Sequence, residues 1–340
     1  MGRKLYKMGR ALLFCLLVFC MVLQLNRIFI RKSLEKPWDM SNKIGGFYNS
    51  ADDYDLYFLG TSHSYCSFNP LAIYENTGMK SYVLATQRQP LGATFYYMKD
   101  VIKKHKPKYI VVDVFGCLLK NEKDEGVVHS YTDDMAMSFN KLAMIYRVVP
   151  REMKAEALLP LIKYHDRWGE LEPKDYRIIR YRDYRDPYRG YVALEGHSDK
   201  FQEDMKGGLR KIMATRISDE VKKDLLAMKT YCNERNIQLI LVKTPTWEEA
   251  SYEKPLKELE DFIKDEGFTY MNFNPRKEAM GLTPEDYYDG YHLNTVGGEK
   301  FTAFFVEKMK EKGMERNAAK DNRWLDERAK QKREFENFAQ

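Results

Sequence analysis

A serine hydroxyl becomes a useful nucleophile only when a base takes its proton, and the base works best with a carboxylate behind it. The stretch YFLGTSHSYCSFNP, residues 57–70, runs as an apolar strand to Gly60 and then turns polar at Thr61, Ser62 and His63. A glycine there permits a tight turn, and the residues that follow could open a helix. Ser62 would then stand at the carboxyl end of a strand, with neighbouring backbone N–H groups facing a developing oxyanion. A serine in that position is equally a helix N-cap. His63 is a poor base for Ser62, because adjacent side chains diverge. The other histidines are His105, His129, His165, His197 and His292. His105 ends a lysine-rich helical stretch and is expected to be solvated.

His292 is the informative one. In DYYDGYHLNTVGG, residues 286–298, Asp289 precedes it by three positions. On a turn that spacing puts both side chains on one side, so the carboxylate can fix the imidazole tautomer and steady the imidazolium. Taken alone, the segment also reads as a polar loop capping a helix.

These residues need a frame. Five short apolar runs, at 55–60, 81–85, 109–115, 237–243 and 268–273, read as buried parallel strands. Helical spacings separate them: Leu91, Phe95, Met98 and Ile102; Val221, Leu225 and Met228 after Ser218 as N-cap; Leu256, Leu259 and Ile263; Phe301, Phe304, Phe305 and Met309. The alternation predicts an α/β sandwich with helices on both faces of a parallel sheet. The gap at about 118–217 reads as a helical and irregular insertion over the sheet's carboxyl edge, where ligands bind in such folds. Residues 31–52, with Pro37 and Gly45-Gly46, read as a linker. Residues 316–340 read as a charged tail, solvated or frayed.

The net charge of +6 is misleading until located. Residues 1–32 carry seven basic residues and no acid, leaving 49 basic against 50 acidic in the rest. That balance argues against nucleic acid as a partner. The basic residues flank the apolar stretch 11–30, which reads as a transmembrane signal-anchor, kept rather than cleaved, in the lipid bilayer. Four of them precede it, so residues 1–10 are expected in the cytoplasm and the bulk of the chain outside. Cys15 and Cys20 fall in the anchor, and Cys66, Cys117 and Cys232 are scattered, so neither a disulfide framework nor a zinc site is indicated. No phosphate loop or dinucleotide fingerprint occurs, and no metal or organic cofactor is expected.

Together, GTSHS and Asp289-Gly290-Tyr291-His292 resemble the SGNH (GDSL-type) hydrolase superfamily over roughly residues 53–315. The resemblance implies a flavodoxin-like three-layer fold with strand order 2-1-3-4-5. It also implies Ser62 as nucleophile, His292 as base and Asp289 as its orienter. The G-D-S-L spelling is absent, and Val112-Asp113-Val114-Phe115-Gly116 stands where a G-x-N-D block would supply an oxyanion-hole asparagine. Candidate substitutes are the Ser62 and His63 region itself, Gln87, Gln89 and the Gly92 backbone.

An anchor followed by such a domain resembles the surface acyl-transfer branch: DltD-like teichoic-acid D-alanylation proteins and alginate-type O-acetyltransferase accessory proteins. That implies a cell-envelope glycopolymer substrate and a multispanning membrane acyltransferase as partner. The HDRWGEL segment, with His165, Arg167 and Trp168, has the flavour of that group, or is a structural loop with a packed tryptophan. Between Tyr176 and Tyr191 lie five arginines and five tyrosines, Arg180 and Tyr184 among them. They suit an anionic sugar surface, or form a solvated segment whose arginines pair with Asp175, Asp183 and Asp186.

Overall fold

The structure, a computed structural model, describes residues 2–34, 40–120, 123–177, 184–205, 212–248, 250–316 and 320–338. Its apolar runs pair as β1 (Leu56–Gly60), β2 (Ser81–Ala85), β3 (Tyr109–Asp113), β4 (Gln238–Lys243) and β5 (Thr269–Asn272), in the order 2-1-3-4-5. Every pairing is parallel, with Leu56 opposite both Ser81 and Tyr109. The loops that follow the strands therefore gather along one edge. β1 and β2 are buried at all positions, as a sheet covered on both faces requires.

Alternation along β1 assigns the two faces. Phe58 stacks on Phe68 at 4.1 Å and meets Phe305. Tyr57 points the other way, to Phe47 and the His105 ring. Toward the Phe58 side lie α3 (Ser62–Ser67), α4 (Pro70–Thr77) and α14 (Thr295–Glu311), which contacts both of the others. The opposite side is covered by α5 (Leu91–His105) and α12 (Asp219–Asn233), while α13 (Glu253–Asp265) links β4 to β5. Ser218 caps α12, accepting from Val221 N. His105 is not solvated: it is half-buried in an aromatic nest of Phe47, Tyr54 and Tyr57.

At the N-terminus, α1 (Gly2–Phe29) is long and apolar enough to cross a membrane, with a mean hydropathy of 2.2 over its most apolar 18 residues. It is compatible with a single-pass anchor or a signal sequence. The expected linker is a correction. Residues 41–49 form α2, with Ile44 and Phe47 fully buried in the core. Gly45 is there for close packing, because the Tyr184 ring occupies the space a Cβ would need.

The insertion is helical at first and irregular after that. α6 (Glu125–Thr132), α7 (Phe139–Val148), α8 (Lys154–Leu158), α9 (Leu161–Tyr164) and α10 (Pro173–Arg177) pack as a chain from α5 to α1. α6 and its N-cap meet the loop that leaves the carboxyl end of β2, where Ser130 Oγ donates to Gln87 O and Arg88 pairs with Asp124. Residues 184–200, before α11 (Phe201–Asp204), also follow that edge: Val192 N donates to Tyr65 O, and Ser198 N to Tyr288 O. The charged tail is docked as α15 (Asn322–Phe338), which lies against α4. Trp324 is fully buried there, and Arg328 bonds both Glu299 and Glu75.

Candidate active site

The turn that lifts Ser62 is built by three neighbours. Gly60 has φ +138°, a conformation that only glycine adopts without strain. A Cβ on it would come within 2.8 Å of Ser64 Oγ and 3.1 Å of Asp113 O. Thr61 is the N-cap of α3, its hydroxyl accepting from His63 N at 3.3 Å. The N-cap position is therefore filled by Thr61, which leaves the Ser62 hydroxyl free of that duty. Ser64 Oγ closes the turn by donating to Leu59 O at 2.9 Å.

The histidine arrives on a second loop. Tyr287 and Leu293 form an antiparallel bridge, and Tyr288 N donates to His292 O, so residues 287–293 make a closed hairpin. Trp247 N and Glu248 N, beyond β4, both donate to Gly290 O and tie the hairpin to the sheet. Asn294 then caps α14, accepting from Gly297 N. Gly297 and Gly298 allow α14 to settle: a Cβ on Gly298 would meet Tyr191 Oη at 2.5 Å and Cys66 O at 3.2 Å. This close approach of α14 to α3 brings the hairpin over Ser62.

The outcome is a continuous chain of hydrogen bonds. Ser62 Oγ lies 2.8 Å from His292 Nε2, and His292 Nδ1 lies 2.8 Å from Asp289 Oδ2. Asp289 Oδ1 accepts from Tyr291 N and His292 N. Burial pushes the Asp289 carboxyl up, but the His292 imidazole and these N–H donors outweigh it, and the group is held below its ordinary value. It is an anion at neutral pH. With Nδ1–H directed at Asp289, Nε2 carries the lone pair that faces the Ser62 hydroxyl. Ser62 itself is 7% exposed and His292 retains 24% side-chain exposure, so the pair sits at a sheltered but reachable rim.

Two further groups touch this chain. Tyr65, one helical turn after Ser62, is buried beside it. The i, i+3 spacing within a short helix was the available signal for it. His63 stacks on Phe115 at 3.6 Å and its ring lies 5.1 Å from that of His292. Burial, with the His292 and Lys243 charges, pushes the His63 imidazole well below its ordinary value, so it is neutral. Its backbone N–H is already spent on Thr61; its side chain is what faces the site.

Several expected residues lie elsewhere. Gln89 is fully buried and committed to its own loop, bonded to Thr86 Oγ1 and Thr94 Oγ1. Gln87 is exposed, and its carbonyl accepts from Ser130. Gly92 packs against Val148 and Asp224. Asp113 is no oxyanion donor: one oxygen accepts from Phe115 N, the other from Thr244 N and Oγ1, clamping the ends of β3 and β4. Burial raises its carboxyl, against the pull of Lys243 and those donors.

Of the residues expected to bind sugar, those described lie away from Ser62, around the end of α1 and beside α2. Arg167 donates to Phe29 O and pairs with Asp175, and Trp168 sets its edge on Phe29 at 4.4 Å. Both belong to the exit of α1. His165 bonds Ile162 O within its own helix end, and Tyr184 is buried against Gly45. Arg180 lies outside the described residues.

The site thus combines a five-stranded parallel sheet ordered 2-1-3-4-5, a hydroxyl leaving β1 and an Asp-x-x-His before the last sheet-covering helix. No family model matches the chain, and no curated protein matches it. Among solved structures, it is similar to a catalytic mutant of an acetylxylan esterase from Geobacillus stearothermophilus: 11% identity, TM-score 0.37, 79% of this chain and 100% of that one. It is similar also to a GDSL-like lipase from Bacteroides thetaiotaomicron (10%, 0.35, 76% and 88%) and to a lipase/acylhydrolase from Enterococcus faecalis (10%, 0.34, 76% and 96%).

Proposed function

We propose that the protein is an SGNH-type serine esterase or O-acyltransferase that works through an acyl-serine intermediate. The observation that carries the reading is the 2.8 Å approach of Ser62 Oγ to His292 Nε2, with Asp289 bonded behind it. Ser62 attacks an ester carbonyl as its proton passes to His292 Nε2. Asp289 stabilises the imidazolium, and the Ser62 N–H and the neutral His63 ring are the donors assigned to the developing oxyanion. His292 then protonates the departing alkoxide. Water or a sugar hydroxyl, deprotonated by the same nitrogen, takes the acyl group and frees Ser62.

The finer reading is that α1 anchors the chain with its N-terminus in the cytoplasm and the folded body outside. Acyl esters of a cell-envelope glycopolymer are then the substrate, and a multispanning acyltransferase is the partner. Support comes from the length and apolar character of α1 and from Leu158, Ile162 and Trp168, which are exposed on elements leading to and around its exit. An aromatic ring at such an exit suits the bilayer interface.

A second reading, an inactive scaffold on the same fold, is favoured by one observation. Phe115 and the clamped Asp113 occupy the place of an asparagine donor. A fluorophosphonate probe separates the two. Labelling that disappears in Ser62→Ala and nearly disappears in His292→Ala supports the enzyme; unlabelled, folded wild type supports the scaffold. Ester content of the envelope, with and without the protein, tests the substrate.

A further inference from the structure

Outside the Ser62 site, the insertion holds a buried histidine with an unexplained nitrogen. His129, on α6, is 4% exposed. Its Nδ1 lies 2.7 Å from Asp133 Oδ1, one turn further along the helix. Asp133 is itself held by the Tyr164 hydroxyl, which donates to its other oxygen at 2.8 Å. The Tyr164 ring also sets its edge against the imidazole. These contacts orient the ring, with Nδ1 turned to Asp133 and Nε2 to the opposite side. That Nε2 is buried and has no hydrogen-bond partner among the described residues. Facing it are two carboxylates: Glu156 Oε1 on α8 at 3.8 Å, beyond hydrogen-bond range, and Glu125, one turn earlier on α6.

We propose that Glu125, His129 and Glu156 bind one divalent transition-metal cation, and that zinc fits the set. The three donor atoms lie within 4.8 Å of one another. Tetrahedral zinc with ligand bonds of about 2.0–2.2 Å needs donors about 3.3–3.6 Å apart. The contraction is small, and Glu125, half exposed, supplies it by a rotamer change. A carboxylate–imidazole pair behind the metal is the usual support for a histidine ligand, and Asp133 provides it here. A nitrogen donor selects against calcium and magnesium, which take oxygen. The counter-cation now at the site is Lys163, whose Nζ lies 3.1 Å from Glu125 Oε1. It sits on α9 and is displaced as the metal enters. No cysteine takes part, so a search for zinc by cysteine spacing passes over the site. The cation would tie α6 to α8 and stiffen the insertion beside the exit of α1. It has no part in the chemistry at Ser62, and the proposal stands apart from that reading.

The test is cobalt(II) titration of the EDTA-treated, untagged full chain in detergent, followed by zinc competition. The expected result is a d–d absorption band saturating at a single equivalent and bleached by zinc. His129→Ala abolishes it, Glu125→Gln and Glu156→Gln weaken it, and Asp133→Asn lowers affinity about 10–100-fold. Zinc, but not calcium or magnesium, raises the melting temperature of the wild type. Absence of the band in folded wild type overturns the proposal and leaves a water as the partner of His129 Nε2. A cobalt affinity unchanged in both glutamate variants overturns it as well. Should His129→Ala fail to fold, the exposed Glu125 gives the deciding variant.

Discussion

Replacing Gly60 by alanine tests whether the serine turn is as constrained as its backbone indicates. At φ +138° an alanine is strained whatever the surroundings, by about 1–3 kcal/mol. The new methyl would also lie 2.8 Å from Ser64 Oγ, where a carbon–oxygen contact wants about 3.3 Å. Relief requires Ser64 to give up its bond to Leu59 O, worth about 1 kcal/mol. The expected destabilisation is therefore about 2–4 kcal/mol, read as a lowered urea midpoint at unchanged slope. The alternative relief, rotation of the peptide at 60–61, moves Ser62 relative to His292. A displacement of about 1 Å costs on the order of 100-fold in reaction rate. Fluorophosphonate labelling, followed as a second-order rate, should fall by that order in the folded fraction. A companion Ser64→Ala change removes the contact with Ser64 Oγ but gives up the same bond to Leu59 O and leaves both the strained φ and the 3.1 Å approach to Asp113 O, so the double variant should be no more stable than Gly60→Ala. Wild-type stability and labelling in Gly60→Ala, or full recovery in the double variant, would refute the strained-turn account.

Asp289→Asn keeps an acceptor for Tyr291 N and His292 N but presents an amide to Nδ1, reversing the tautomer; turnover should fall about 10³–10⁴-fold with little change in melting temperature. His63→Phe preserves a ring on Phe115 and removes only the donor, so a fall in kcat of about 10²-fold or more with KM unchanged marks an oxyanion role, and unchanged kcat marks packing alone. His105 is held at about 4 by burial, against an ordinary 6.5. Protons therefore bind the unfolded chain first, and the His105 contribution, whole above about pH 6.5, is lost as pH drops toward 4. Urea midpoints at pH 7 and 4.5 should converge in His105→Phe relative to wild type; an unchanged difference contradicts this.

What could be read from residues alone follows from how local each signal is. Strands were visible because buried parallel strands are apolar at every position, as in Leu56–Gly60. Asp289 and His292 were visible because their partnership spans three residues. The pairing of His292 with Ser62 across 230 positions depends on the close approach of α14 to α3, which no local pattern encodes. Gly45-Gly46 looked like a linker because glycine reports both looseness and close packing, and only Tyr184 decides between them. The tail looked solvated because Arg328 and Gln331 are buried by partners far away in the chain, Glu75, Glu299 and Asn69. Arg167 and Trp168 suggested sugar chemistry by type, yet their neighbours come from the end of α1.

The end of α1 has one more implication. Leu161 N is held by Asn26 Oδ1 at 2.7 Å, Arg167 grips the carbonyl of Phe29, and Lys32 lies 3.5 Å from the buried Asp175. A tether gripped this way has no slack. In a membrane-held chain the Ser62 rim would stand at a set height above the lipid, like the needle of a gauge. An ester presented from the same membrane would be met at that one elevation, and if the substrate is the proposed envelope polymer, each unit would have to pass through it to be worked on.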